Sequence, residues 1–85
     1  MNSNKKLVLC GKKKELEDQR GKIIIKLKGF SDLLIQHSET LLYDNFEEMD
    51  YEAIKVYAEE LANQIKILRN NGKELKNINK QLGTD

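Results

Sequence analysis

The chain has 85 residues, a formal net charge of +1, one cysteine, and neither proline nor tryptophan. A chain of this length forms at most one small domain, and a single cysteine excludes an intramolecular disulfide scaffold. The longest apolar run, 7–10, is far shorter than the roughly 20 residues of a membrane-spanning helix. Charged residues make up 34% of the chain, which favours long exposed helices. We therefore expect a soluble cytoplasmic all-α protein.

The first predicted helix spans about 12–43 and follows a basic N-terminal segment, 1–11, that we expect to be flexible. Two rows of residues recur every seven positions, four residues apart: Leu9, Leu16, Ile23, Phe30 and His37, and then Leu27, Leu34 and Leu41. The first row passes Gly21 and Gly29, and the second row passes Gly29, without a change of phase, which favours one continuous helix. The segment 22–28 (KIIIKLK) between these glycines also fits a short strand.

The second predicted helix spans about 50–82, after a turn at 44–50 in which Asn45 or Asp50 provides the N-cap. Its apolar residues again recur every seven positions: Ile54, Leu61, Leu68, Leu75 and Leu82, with Tyr51, Ala58 and Ile65 three residues before the first three. This spacing is typical of a helix that packs against another helix. Asn70, Asn71 and Gly72 form a potential break, but the unchanged leucine phase predicts continuity.

Two long helices with a short connector predict an antiparallel, coiled-coil-like hairpin within a single domain at 12–83. The residues expected in the hairpin or dimer seam are Leu16, Ile23, Leu27, Phe30, Leu34, Leu41, Ile54, Leu61, Ile65, Leu68, Leu75 and Leu82. A second apolar face consists of Ile25, Ile35 and Leu42, and Val56, Ile67 and Ile78 also lie off the predicted seam. Because two helices cannot enclose all these residues, we expect a homodimer that completes a four-helix bundle, or another helical partner.

Charge is strongly segregated along the chain. Residues 1–28 have a net charge of +6, residues 29–60 of −8, and residues 61–85 of +3. Folding into a hairpin brings the two basic blocks together at one end and leaves the acidic block at the connector. Two such rods attract each other when they lie antiparallel, so the charge pattern favours a head-to-tail dimer.

No pattern of residues predicts an enzyme, a cofactor or a metal site. His37 is the only histidine and lies in the seam pattern, where Leu34 replaces the glutamate of a Glu-x-x-His metal motif. Cys10 is a lone thiol among lysines, and the chain contains no phosphate-binding loop. His37 is therefore interpreted as a polar seam residue and Cys10 as incidental.

Two functional hypotheses remain, and neither is enzymatic. The first is a protein–protein interaction or assembly module that acts through a self-associating hairpin. The second is a small nucleic-acid-binding protein whose basic end contacts phosphates through Lys12, Lys13, Lys14, Lys73 and Lys76. Few arginines and no interleaved aromatic residues accompany these lysines, so the sequence favours the assembly module.

Overall fold

A computed structural model describes residues 3–39, 47 and 50–83, and the described chain contains two α-helices. α1 spans Ser3–Ser38 and α2 spans Tyr51–Leu82. The helices are antiparallel, since Leu16 near the start of α1 contacts Asn71 near the end of α2, and His37 contacts Tyr57. The molecule is a rod with extents of 63 × 17 × 15 Å. The predicted all-α hairpin is therefore confirmed.

α1 begins at Ser3, so residues 3–11, predicted to be a flexible segment, are helical. The helix also continues through Gly21 and Gly29, which excludes a strand at 22–28. Both glycines are exposed and have open space where a side chain would be, so they cost helix propensity without disturbing the packing. α1 ends at Ser38, whose Oγ donates a 2.7 Å hydrogen bond to the Leu34 carbonyl. The predicted end near residue 43 lies outside the described residues.

α2 has defined caps at both ends. Asp50 is the N-cap, and its Oδ1 accepts a 3.0 Å hydrogen bond from the Ala53 N–H; the alternative cap, Asn45, lies outside the described residues. At the other end Gly83 adopts the left-handed conformation (φ 73°) and its N–H donates to the Lys80 carbonyl. Between these caps the helix continues through Gly72, as the leucine phase predicts.

The contact between the helices follows a regular 3-4 spacing on both of them. The seam consists of residues that are buried or half-buried at this spacing: on α1 Leu9, Lys13, Leu16, Arg20, Ile23, Leu27, Phe30, Leu34 and His37, and on α2 Ile54, Tyr57, Leu61, Gln64, Leu68, Asn71, Leu75, Ile78 and Leu82. The described apolar residues predicted for the seam are in this set, except Ile65. Leu41 lies outside the described residues.

The structure corrects which row of α2 accompanies the leucine row at the seam. The predicted companions, Tyr51, Ala58 and Ile65, are exposed. α1 instead covers the row three residues after the leucines, which begins with Tyr57 and ends with Ile78. A helix side chain has neighbours at both i−3 and i+3, so the leucine spacing alone allows either row. Ile78, predicted to lie off the seam, is one of the buried residues.

The closest packing between the two described helices is not uniform along the rod. Among the described residues, the buried side chains are Leu16, Ile23, Gln64, Asn71 and Ile78. They lie in the middle and at the basic end of the rod. The Asn71 Nδ2 donates a 2.8 Å hydrogen bond to the Leu16 carbonyl across the seam. This bond lets α1 cover a polar position that a purely apolar contact would exclude.

Candidate interaction surface

The two long sides of the hairpin, left and right of the seam, differ sharply in polarity. We call one the groove side; its seam-flanking residues are Cys10, Glu17, Ile24, Ser31 and Ser38 on α1 and Tyr51, Ala58, Ile65, Gly72 and Asn79 on α2. We call the other the polar side; its flanking residues are Lys5, Lys12, Gln19, Lys26 and Leu33 on α1 and Ala53, Glu60, Ile67, Glu74 and Gln81 on α2. Flanking positions of a two-stranded coiled coil are often charged. The groove side has a single charged flanking residue, whereas half of those on the polar side are charged.

An apolar groove lies on the groove side, towards the connector half of the rod. It has a volume of about 480 Å³. Its floor is formed by Leu27, Leu61 and Ile65, and Lys28 and Asp32 border it on α1 together with Ser31. The groove thus combines an aliphatic floor with one cation and one anion a single helical turn apart.

Exposed apolar residues extend this surface beyond the groove. Tyr51 and Ala58 lie two and one heptads before Ile65 on the same row of α2, and Tyr51 is 71% exposed. On α1, Ile35 is four residues after Ser31 and therefore on the same side, with 58% exposure. Ile25 lies one heptad before Asp32 and is also exposed. Of the predicted second apolar face, Ile25 and Ile35 are thus exposed, and Leu42 lies outside the described residues.

Of the two rows that flank the leucine row of α2, the more apolar one is turned away from α1. The leucine row lies between two companion rows, of which α1 covers the one that contains Gln64 and Asn71. The other row, with Tyr51, Ala58 and Ile65, faces the groove side and is exposed. A helix whose only partner is α1 would be expected to bury its more apolar row. Tyr51, Ala58 and Ile65 therefore form an apolar surface that α1 does not cover.

The contact between α1 and α2 buries few apolar side chains. Within 3–39 and 50–83, no large side chain is completely buried, and only Leu16, Ile23 and Ile78 form a buried apolar core. A chain of this size buries a smaller fraction of its surface than a large domain does.

The polar side can be compared directly with the groove side. A smaller pocket of about 330 Å³ lies there at the basic end, and polar residues, among them Lys12, Glu74 and Gln81, dominate its lining. Ile67 is the exposed isoleucine of α2 on this side, with 42% exposure against 38% for Ile65. These two isoleucines, two residues apart on opposite sides of the rod, provide a matched pair for experiments.

The structure also shows where the other residues singled out in the sequence lie, namely His37, Cys10 and the lysines of the basic end. His37 is half-buried at the seam, and its ring centroid lies 5.2 Å from that of Tyr57. Cys10 is exposed. No three His, Cys, Asp or Glu side chains within the described ranges are grouped as metal ligands. The Asn71–Leu16 bond places Lys12, Lys13 and Lys14 beside the end of α2 that carries Lys73 and Lys76.

Sequence reasoning missed the two amides of the seam and the charged border of the groove. Gln64 and Asn71 are buried, at 7% and 4% exposure, although amide side chains are mostly exposed in proteins. Their regular spacing three residues after leucines was the available signal. Lys28 and Asp32 carry no such signal, because only the helix pairing shows that they border the groove.

Comparisons with known proteins do not supply a family. No family model, no curated protein and no solved structure matches the chain. Neither described helix has a stretch long and apolar enough to cross a bilayer.

Proposed function

We propose that this protein is a non-enzymatic assembly module whose hairpin self-associates through the groove side to form a four-helix bundle. The observation that carries the proposal is the exposed apolar row of Tyr51, Ala58 and Ile65 beside the groove, while α1 covers the more polar row of α2. The lone cysteine and the absence of an enzyme motif in the sequence support a cytoplasmic, non-catalytic role.

The exposed apolar side chains of the groove side would contribute to the free energy of a dimer. Complete burial of a large apolar side chain contributes about 1.5–3 kcal/mol. Tyr51, Ile35 and Ile65 of both copies together offset much of the roughly 4–15 kcal/mol that association costs in lost freedom of motion. Ala58 and Ala62 are small and exposed, so they allow a second helix to approach α2 closely.

The direct test is sedimentation equilibrium over a wide range of protein concentrations. We expect a reversible monomer–dimer equilibrium for the wild type. Ile65→Lys should raise the dissociation constant at least tenfold, because each copy then buries a charge and loses an apolar contact. Ile67→Lys is the matched control on the polar side and should leave the dissociation constant within about threefold of the wild type.

Two results would contradict the proposal. One is a wild-type chain that stays monomeric at all concentrations while it unfolds cooperatively. The other is an equal effect of Ile65→Lys and Ile67→Lys, which would show that the groove side has no special part in association. Circular dichroism of each variant separates loss of association from loss of the helical fold.

Nucleic-acid binding is the second candidate, favoured by the juxtaposition of Lys12, Lys13 and Lys14 with Lys73 and Lys76 at one end of the rod. Binding through phosphate contacts predicts retention on a heparin column that falls steeply with salt. Charge reversal of Lys12–Lys14 should abolish this retention, whereas Lys66→Glu, away from that end, should not. A wild type that elutes below physiological salt would eliminate this candidate.

A further inference from the structure

We infer that the occupant of the groove is a second copy of this chain in head-to-tail orientation, with Lys28 of each copy beside the partner's Asp32. This inference rests on the proposed self-association and adds its orientation and its symmetry axis. It identifies Lys28 and Asp32 as the residues that determine the orientation.

Acidic and basic side chains are concentrated at opposite ends of the rod. Among the described residues from 29 to 60, which surround the connector, the charged side chains are Asp32, Glu39, Glu47, Asp50, Glu52, Glu59 and Glu60 against Lys55. The described residues of the remainder, 3–28 and 61–83, carry fourteen lysines and arginines against Glu15, Glu17, Asp18 and Glu74. Parallel rods would place like charges side by side, whereas antiparallel rods place the acidic half of one copy against the basic half of the other.

One positive and one negative side chain follow each other along the border of the groove. Lys28 and Asp32 border the apolar floor and lie four residues apart on α1, one helical turn. In a two-fold symmetric dimer, a contact from one residue to another occurs twice. With antiparallel rods and the axis through the groove, Lys28 meets the partner's Asp32 on both sides of the axis. With parallel rods related by an axis along their length, α1 lies opposite the partner's α2, so Lys28 and the partner's Asp32 are not brought together.

The long face of the rod offers enough area for a second copy to cover. The long face of the rod measures 63 by 17 Å. A standard stable interface requires about 800 Å² from each partner. Two rods that overlap along most of their length satisfy this requirement even when staggered, so the axis does not need to pass through the midpoint of the rod.

The test is a charge-reversal series measured by sedimentation equilibrium at low ionic strength. Lys28→Glu alone and Asp32→Lys alone should each raise the dissociation constant roughly tenfold, because both symmetric pairs become repulsive. The double variant K28E/D32K should return it to within about threefold of the wild type, since the pairs are restored with reversed signs. The matched control is the Asp18 and Lys22 pair, also four residues apart and exposed on α1 but away from the groove. Asp18→Lys and Lys22→Glu should not change association.

The outcomes separate this inference from the proposed function. If Ile65→Lys prevents association while Lys28→Glu and Asp32→Lys leave it unchanged, the groove is an interface but the head-to-tail orientation is wrong. If the single reversals weaken association and the double variant does not restore it, the proposed pairing is also wrong. A wild-type chain that never associates overturns both the inference and the proposed function.

Discussion

At the scale of single residues, Asn71 shows how a polar group is accommodated between the helices. Its amide nitrogen donates to the Leu16 carbonyl, while its Oδ1 is buried with no hydrogen-bond partner among the described atoms. A buried polar atom without a partner costs about 1–3 kcal/mol. Asn71 therefore contributes more to the uniqueness of the helix pairing than to its stability, a role known for single buried asparagines in coiled coils.

Substitutions of Asn71 test this balance. Asn71→Leu should raise the free energy of unfolding by about 1 kcal/mol, because it removes the unpartnered oxygen and fills the position with an apolar group. Asn71→Asp should lower it by about 2–4 kcal/mol, because a buried carboxylate cannot donate to the Leu16 carbonyl. The measurement is urea unfolding followed by circular dichroism at one fixed protein concentration.

The neighbouring Asn70 is the control for these substitutions, because it is exposed on the same helix. Asn70→Leu and Asn70→Asp should each change the free energy of unfolding by no more than about 0.5 kcal/mol. If Asn71→Asp proved as mild as Asn70→Asp, the buried hydrogen bond would have no energetic role.

At the scale of the helices, substitution of glycine by alanine is expected to have opposite effects on stability at Gly29 and at Gly83. Gly29 lies inside α1 with open space around its Cα, so Gly29→Ala should stabilise the protein by about 0.5–1 kcal/mol through helix propensity. Gly83 ends α2 at φ 73°, where a Cβ is strained, so Gly83→Ala should destabilise by about 1 kcal/mol. Thermal unfolding of the two variants at equal concentration would reveal the difference in sign, and shifts in the same direction would contradict it.

The heptad spacing was sufficient to predict the two helices, and the short connector between them predicted the antiparallel pairing. Leu68 and Leu75 keep their phase across Gly72, and Ile23 and Phe30 keep theirs across Gly29, so neither glycine interrupts a helix. The start of α1 was predicted too late because lysines and a glycine near Cys10 suggest flexibility, although lysine is a good helix former.

The identity of the covered row could not be predicted from spacing alone. The row with Tyr51 and Ile65 is more apolar than the row with Gln64 and Asn71, so hydrophobicity favoured the wrong one for the hairpin contact. The Leu16 carbonyl, which accepts from Asn71, is a backbone atom far away in the sequence, and no side-chain pattern indicates it. The groove could not be predicted from the sequence either, because the residues of α1 and α2 that line it are brought together only by folding.

At the scale of the whole molecule, stability and association are expected to be coupled. The hairpin has a small core, and a dimer adds apolar contacts that the monomer lacks. The wild-type melting temperature should therefore rise with protein concentration, and Ile65→Lys should abolish this dependence. Differential scanning calorimetry at several concentrations provides the measurement. A melting temperature that is independent of concentration in the wild type would contradict the coupling.

Ionic strength should act on the same equilibrium. A head-to-tail dimer places the acidic half of each rod against the basic half of the other, and salt screens such contacts between exposed charges. We expect the dissociation constant to rise several-fold between about 0.05 and 0.5 M NaCl. A parallel dimer would show the reverse, since salt would relieve its repulsion.

The hydrogen bond between Asn71 and Leu16 also has a consequence for protein engineering. It joins residues 55 positions apart, in the half of the rod remote from the connector, so the surfaces of the two helices contribute to their alignment. Extra residues inserted between α1 and α2 should therefore leave the hydrogen bond in place, whereas one extra residue between Tyr57 and Asn71 should turn Asn71 by about 100° away from α1. A fluorescent domain or an affinity tag is therefore best inserted between the helices, where it would also mark the acidic end of each rod.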